Sequence, residues 1–376
     1  MNSPFDRRVL VGFITRVCVT LECFFLIAAV PASADNGHSP HTAGTSVTIY
    51  AGGYSTNSSG VTIAGYWKNG RWVRLSSLDT RYDSVANVLI ASRNRVYAGG
   101  CSTSNSDVQV PGYWKGGNWI QLPQPPSSIG ACVNSLVLSI GEQVYAGGYT
   151  TDSSLRDTPI FWKGKTAIEL QPEDKAYNSR INSVTVVTGN LYAGGYSGDA
   201  AVYWKNGVLV KLPPLYPGFG SVVNTIVVIE NHVYAGGYTI NPDVPPSGVT
   251  VPGYWRDGTW VGLPRLYEKA DSMVNSIVVS GGHVYAGGYS MDESGTSVPG
   301  YWKDRTWISL PSLSEETESE VTSLALVGQH VYAGGYSVNS DGRSMPGYWI
   351  DRKWVGLTPP PEDGQGRVTC IDVVVN

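Results

Sequence analysis

The sequence predicts an all-β fold, and within that class a seven-bladed β-propeller of four-stranded antiparallel blades. Three observations carry the prediction. Tyr-Ala-Gly-Gly recurs seven times, from Tyr50, Tyr97, Tyr145, Tyr192, Tyr234, Tyr285 and Tyr332, at spacings of 47, 48, 47, 42, 51 and 47 residues. Each repeat contains four short strand-like runs separated by turn residues. The chain also enters its first repeat at the second run and finishes on the first run that this repeat lacks.

The runs are clear in the copy that starts near Val274. They span Val274 to Val279, His283 to Tyr289, Val298 to Lys303 and Thr306 to Leu310, with tight turns such as Ser280-Gly281-Gly282 and Lys303-Asp304-Arg305 between them. The first run, rich in Val and Ile, suits a strand covered on both faces, hence the innermost of a blade. An aromatic–Trp pair marks every third run, from Tyr66-Trp67 to Tyr348-Trp349 and including Phe161-Trp162. A second Trp follows five residues later in five copies: Trp72, Trp119, Trp260, Trp307 and Trp354. These positions account for all 12 Trp of the chain, so the repeat count is fixed by two independent landmarks. Large aromatics of this kind fill wedges between blades, each covering roughly 150 to 250 Å²; stacking of sugars on the second Trp set is the alternative.

The ends are complementary. Val47 to Tyr54 has no Val-rich run before it, and Val368-Thr369-Cys370-Ile371-Asp372-Val373 is such a run with no successor. Pairing the two closes the ring and removes an open edge.

Composition agrees with this class. The chain is 42% apolar, 11% aromatic and only 15% charged, with 45 Gly and 23 Tyr, so turns and strands outweigh helices. Arg7, Arg8 and Arg16, an apolar stretch from Val17 to Val30 interrupted by Glu22, and small residues ending at Ala34 read as a signal peptide. Residues 1–34 are assigned to it, 35–45 to a tail and 46–376 to the propeller. The product is expected to be secreted, periplasmic or extracellular, with no membrane span and as a monomer. Losing three Arg, Asp6 and Glu22 moves the net charge from -4 to -5, which disfavours nucleic acid as a partner. Cys101, Cys132 and Cys370 remain, with no metal-ligand spacing; Cys101 and Cys132 fall at strand ends in neighbouring blades, where a disulfide is possible. No metal or cofactor is expected.

The Gly-Gly, Tyr and Trp landmarks, here Gly287-Gly288, Tyr301 and Trp307, resemble the kelch repeat over residues 46–376. The third-to-fourth turn is shorter than in kelch and the Trp of Tyr-Trp is additional; the Trp-Lys-Asn-Gly type of turn resembles secreted bacterial repeat proteins. The resemblance implies protein binding, and in one secreted branch copper radical oxidation. His232, His283 and His330 occupy one equivalent turn position in three different blades, which does not make the ligand set that oxidase chemistry needs.

Candidate functional residues are those that fall on one mouth of the ring or in its long loops. Asn87, Asn134, Asn182, Asn224 and Asn275, with Thr322 and Thr369 in the other copies, place amides and hydroxyls at the start of each inner strand. They either satisfy backbone groups of the next blade or form a ligand site. The second-to-third and fourth-to-first connections are long and share one face, where Tyr82, Tyr177, Tyr216, Phe219 and Tyr267 stand ready to stack on a sugar or dock a peptide. Glu315, Glu316, Glu318 and Glu320 read as a solvated acidic loop. Asp372 is the weak catalytic candidate, a carboxylate on an apolar inner strand. No phosphate loop, nucleophile elbow or metal cluster is present. The expected function is a non-enzymatic binding scaffold for a protein partner on the long-loop face. A lectin with repeated sites and an extracellular hydrolase or lyase are the alternatives.

Overall fold

The computed structural model describes residues 46–376 except 94, 140 and 361–363. The expected signal peptide and tail lie outside the described residues. Among the described residues there are 28 strands and no helix. The first sheet orders β28 (Gln365–Val375), β1 (Val47–Thr56), β2 (Thr62–Lys68) and β3 (Arg71–Arg74). An eight-stranded sheet follows. It holds β4 (Ser84–Ser92), β5 (Arg95–Thr103), β6 (Gln109–Lys115) and β7 (Asn118–Gln121), then β8 (Ser128–Leu138), β9 (Val144–Asp152), β10 (Asp157–Lys163) and β11 (Thr166–Glu169). A single parallel pairing, Gln109 with Gly130, joins these two antiparallel quartets.

Four further four-stranded sheets complete the chain. They are β12 (Ser179–Val187), β13 (Asn190–Ser197), β14 (Ala200–Lys205) and β15 (Val208–Lys211); β16 (Ser221–Ile229), β17 (His232–Asn241), β18 (Val249–Arg256) and β19 (Thr259–Gly262); β20 (Ser272–Ser280), β21 (His283–Met291), β22 (Ser297–Lys303) and β23 (Thr306–Ser309); and β24 (Ser319–Val327), β25 (His330–Val338), β26 (Ser344–Ile350) and β27 (Lys353–Gly356). This all-β array of short antiparallel quartets is the construction of a β-propeller.

The local chemistry explains the quartets. Third and fourth strands are joined by two-residue turns, and in five of the seven both central residues take positive φ, as at Asn69 (47°) and Gly70 (82°). That geometry matches the strand twist and favours Asn, Asp and Gly. The turn side chain also accepts the amide of the second strand's start, as Asn69 Oδ1 does from Ile49 at 2.9 Å and Asp304 Oδ1 from Val284 at 3.1 Å.

The double glycine does two jobs. A Cβ on Gly287 would lie 2.7 Å from Leu324 of the next sheet, so this glycine lets neighbouring sheets meet. A Cβ on Gly288 would lie 1.9 Å from the Met273 carbonyl oxygen, where β20 carries a bulge between Val274 and Ser276. The same register shift recurs between every inner strand and its neighbour, from Ala86/Val88 on β4 to Gly52/Gly53 opposite β28.

The core lies between sheets. All seven Trp of the aromatic–Trp pairs are fully buried. Each indole Nε1 donates to a carbonyl just beyond the outer strand of the preceding quartet, for example Trp302 to Pro264 at 2.8 Å, Trp255 to Pro213 at 2.7 Å and Trp67 to Thr358 at 2.8 Å. At about 25 cal/mol per Å² each buried indole contributes about 4 to 6 kcal/mol to joining the sheets. One apolar cluster, containing Ala51, Trp67, Tyr332, Tyr348, Val368 and Ile371, spans the quartet of β24–β27 and that of β28 with β1–β3.

The second Trp set packs on glycine. A Cβ on Gly65, Gly112, Gly253, Gly300 or Gly347 would fall 2.2 to 2.4 Å from the indole of Trp72, Trp119, Trp260, Trp307 or Trp354. In the two remaining quartets the Trp is replaced by Ala167 or Leu209, and the glycine becomes Ile160 or Val202. Volume lost on one strand is restored on its neighbour. These half-buried indoles, tilted against the first Trp at 4.4 to 4.6 Å, serve packing.

Candidate functional site

The Asn and Thr positions of the inner strands are the bulged residues themselves. Freed from the ladder, each side chain reaches the next quartet's inner strand. Asn87 donates to the Val133 carbonyl (3.0 Å), Asn134 to Ile181 (2.9 Å), Asn182 to Val223 (2.9 Å), Asn224 to Val274 (2.9 Å) and Asn275 to Val321 (3.0 Å). Thr322 donates to Val368 (2.8 Å) and Thr369 to Ala86 (2.8 Å). The five asparagines are buried, and their amides hold strand to strand. Asp372 does similar work. Buried on β28, it accepts the Ala91 amide of β4 at 2.8 Å.

A second layer, one step nearer the loops, was legible in the sequence only at Cys101 and Cys132. The residue after Gly-Gly on each second strand (Tyr54, Cys101, Tyr149, Tyr196, Tyr238, Tyr289, Tyr336) pairs across the ladder with a variable inner-strand position of its own quartet, and Cys101, Tyr149 and Tyr336 also meet that position of the next quartet. There Cys101 and Cys132 form a disulfide, with Cα atoms 5.0 Å apart. Arg180 lies 3.9 Å over the Tyr149 ring and is held by Asp157, and Arg367 lies 3.9 Å over the Tyr336 ring. Glu320 occupies the corresponding position of β24. A further signal in the sequence was that this position runs Val85, Cys132, Arg180, Val222, Met273, Glu320, Arg367, mixing apolar and charged residues of both signs.

Glu320 corrects the reading of a solvated acidic run. It is only 2% exposed because β24 begins at Ser319 and turns this side chain inward. Asn275 donates to one carboxylate oxygen and the Tyr336 hydroxyl to the other at 3.0 Å. Burial pushes the Glu320 carboxyl up to about 7, against the opposing pull of these hydrogen bonds and of Arg367. Burial likewise pushes the Tyr196 and Tyr238 hydroxyls up to about 12.

The three strand-start histidines face the tight turns, each paired within its own quartet. Nδ1 of His232, His283 and His330 lies 2.6, 2.8 and 2.5 Å from Asp257, Asp304 and Asp351. Among the described residues no group of three or more His, Cys, Asp or Glu is placed to hold a metal ion.

On the long-loop face the five aromatics divide. Tyr82, Tyr216 and Tyr267 are half-buried in their turns, whereas Tyr177 is 61% and Phe219 45% exposed. These two line one cleft of about 640 Å³. Tyr177 comes from the β11–β12 loop and Phe219 from the β15–β16 loop. Between them lies the β13–β14 turn, in which Ser197 pairs with Ala200 across Gly198 and Asp199. This turn is why the repeat spacing falls to 42 residues. Elsewhere the connection is longer, as in the 242–248 segment between β17 and β18, so its shortening uncovers the loops on either side. Glu173, Asp174, Asp199 and Lys211 supply the charges of the cleft, and Leu212, Pro213 and Pro214 its apolar lining.

Fold and cleft together define an all-β repeat protein of propeller construction with an open, aromatic and acidic depression among its loops. No protein family matches the chain, and no curated protein does. Among solved structures it is similar to the extracellular domains 1-2 of Drosophila Semaphorin 1a, at 13% identity and a TM-score of 0.35. The match covers 62% of this chain and spans 60% of that one. Among the described residues no helix is long and apolar enough to cross a membrane.

Proposed function

We propose that this protein is a secreted, kelch-like, seven-bladed propeller that acts as a monomeric, non-enzymatic binding platform for a protein partner. Two series of contacts support the seven-blade ring. The bulge side chains run quartet to quartet and return from Thr369 to Ala86, and the indole bonds return from Trp67 to Thr358. The antiparallel pairing of β28 with β1 supports closure by the C-terminal strand. Secretion is supported by the basic and apolar pattern of residues 1–34.

The observation that carries the binding role is the cleft. It pairs two exposed aromatics on adjacent loops, while the other aromatics among the described residues are buried or half-buried. A lectin with repeated sites draws less support, because the repeated second Trp lies over glycine as packing. The test is site-specific photo-crosslinking in the producing cells, with a photoreactive residue at position 177 or 219 and, as control, at Val208, which is 68% exposed on β15. Crosslinks confined to 177 and 219 fit the loop-face role; equal labelling at all three, or none, rejects it.

A further inference from the structure

The cleft's uncompensated charges are carboxylates only. Lys211 is paired with Glu173. Ser197 Oγ accepts the Glu173 amide at 2.8 Å and the Ser179 hydroxyl at 3.0 Å, and Ser221 Oγ accepts the Ala201 amide at 2.9 Å. Asp174 uses one oxygen on the Ala176 amide at 2.8 Å, which leaves its second oxygen outward. The Asp199 side chain, exposed on the β13–β14 turn, takes no hydrogen bond among the described residues. Three carboxylates thus stand against one ammonium already engaged.

An anionic ligand is repelled by this arrangement. A neutral sugar gains nothing from the excess of negative charge. A guanidinium or ammonium brings donors only, carries the opposite charge, and is attracted to the faces of Tyr and Phe rings. Leu215, 44% exposed beside the cleft on the β15–β16 loop, offers an apolar neighbour for the next side chain along.

We infer that the cleft takes an extended basic peptide segment, seating an arginine or lysine side chain between Tyr177 and Phe219 with Asp174 and Asp199 as counter-charges. The inference rests on the loop-face reading and adds the chemistry of its ligand. Tyr177 is carried close to the cleft floor, since a Cβ on Gly198 would lie 3.6 Å from the Tyr177 Cβ. Positive φ at Gly198 (60°) lets the turn pass beneath the ring.

The experiment measures fluorescence anisotropy of the full chain with three probes: a labelled eight-residue peptide carrying two arginines among proline and leucine, its citrulline copy, and a panel of neutral oligosaccharides. Two double variants accompany the parent, Asp174→Asn with Asp199→Asn and Tyr177→Ala with Phe219→Ala. All four positions are exposed, and thermal melting checks that each variant folds. The arginine probe is expected to bind roughly three- to tenfold tighter than the citrulline copy at low salt, the range for two partly exposed charge contacts. The carboxamide pair should erase that ratio, and the aromatic pair should remove binding of both peptides. Equal affinity for the two peptides overturns the basic-ligand inference and leaves the loop-face role standing. Oligosaccharide binding lost in the aromatic pair replaces it with a glycan site. No probe binding, while crosslinks at 177 and 219 persist, rejects the inference alone; loss of those crosslinks as well rejects both.

Discussion

Replacing Gly300 by isoleucine drives a branched side chain into the indole of Trp307. The first added atom would lie 2.4 Å from Trp307 Cη2 and 2.6 Å from the Ile308 carbonyl oxygen. Trp307 yields only by leaving Trp302, whose ring centroid is 4.4 Å away. Overpacking of this kind costs about 3 kcal/mol. Trp307→Ala alone costs about 2 to 3 kcal/mol, less than for a fully buried Trp because this ring is half exposed. Added independently, the two changes would cost about 5 to 6 kcal/mol. The double variant Gly300→Ile/Trp307→Ala instead recreates the Ile160/Ala167 solution of the β8–β11 quartet. Its expected cost is about 3 kcal/mol or less, a favourable coupling of about 2 to 3 kcal/mol. Urea denaturation followed by near-ultraviolet circular dichroism on the four chains of the cycle measures the coupling. Additivity within about 0.5 kcal/mol refutes the exchange of volume between strands.

Three other outcomes follow from the contacts between quartets. Asn182→Ala should lose about 1 to 3 kcal/mol through the unpaired Val223 carbonyl, and Asn182→Thr should recover part of it, since Thr322 and Thr369 fill the same role; equal melting of the two variants would contradict the staple. The Glu320 carboxyl is raised in the folded chain, so the fold holds more protons than the unfolded state between the ordinary carboxyl value of 4.5 and about 7. Its contribution is therefore favourable below this window and lost as pH rises through it, by about 3 kcal/mol. Glu320→Gln should remove that slope, and parallel stability curves from pH 4 to 8 would count against the assignment. The Cys101–Cys132 bond closes a separation of 31 residues. Cys101→Ala with Cys132→Ala should cost about 3 to 4 kcal/mol by loop entropy, and unchanged thermal melting would show that the bond does not form.

What the sequence disclosed was whatever repeats. Tyr-Ala-Gly-Gly, Tyr-Trp and the polar residue of the inner strand recur because each makes the same contact between neighbouring quartets, so one copy explains the others. The direction of those contacts was not readable. That the asparagines are bulged, and so aimed at the next strand's carbonyl, depends on a register shift opposite Gly-Gly. Glu320 looked solvated because it follows Glu315, Glu316 and Glu318, yet strand alternation beginning at Ser319 turns it inward. The cleft was hidden for a different reason. It arises from a loop that is missing, visible beforehand only as a spacing of 42, and an absence carries no motif. Tyr177 and Phe219 were recognised as loop aromatics, but their sharing of one cleft required the fold.

The pairing of β28 with β1 sets the order of events in synthesis. Thr48 and Asn376 share a hydrogen bond across 328 residues, and the Asn376 amide reaches the Ser46 carbonyl at 2.9 Å. When β1 leaves the ribosome its inner partner does not yet exist, and a chain interrupted before Gln365 keeps that strand's edge open to addition by another molecule. The first quartet is thus complete only once β28 has been made. The adjacency of residues 46 and 376 also permits a circular permutant, relinked there and opened at another turn, in which β28 would precede β1. Such a chain would make its first quartet early and leave the waiting to a different one.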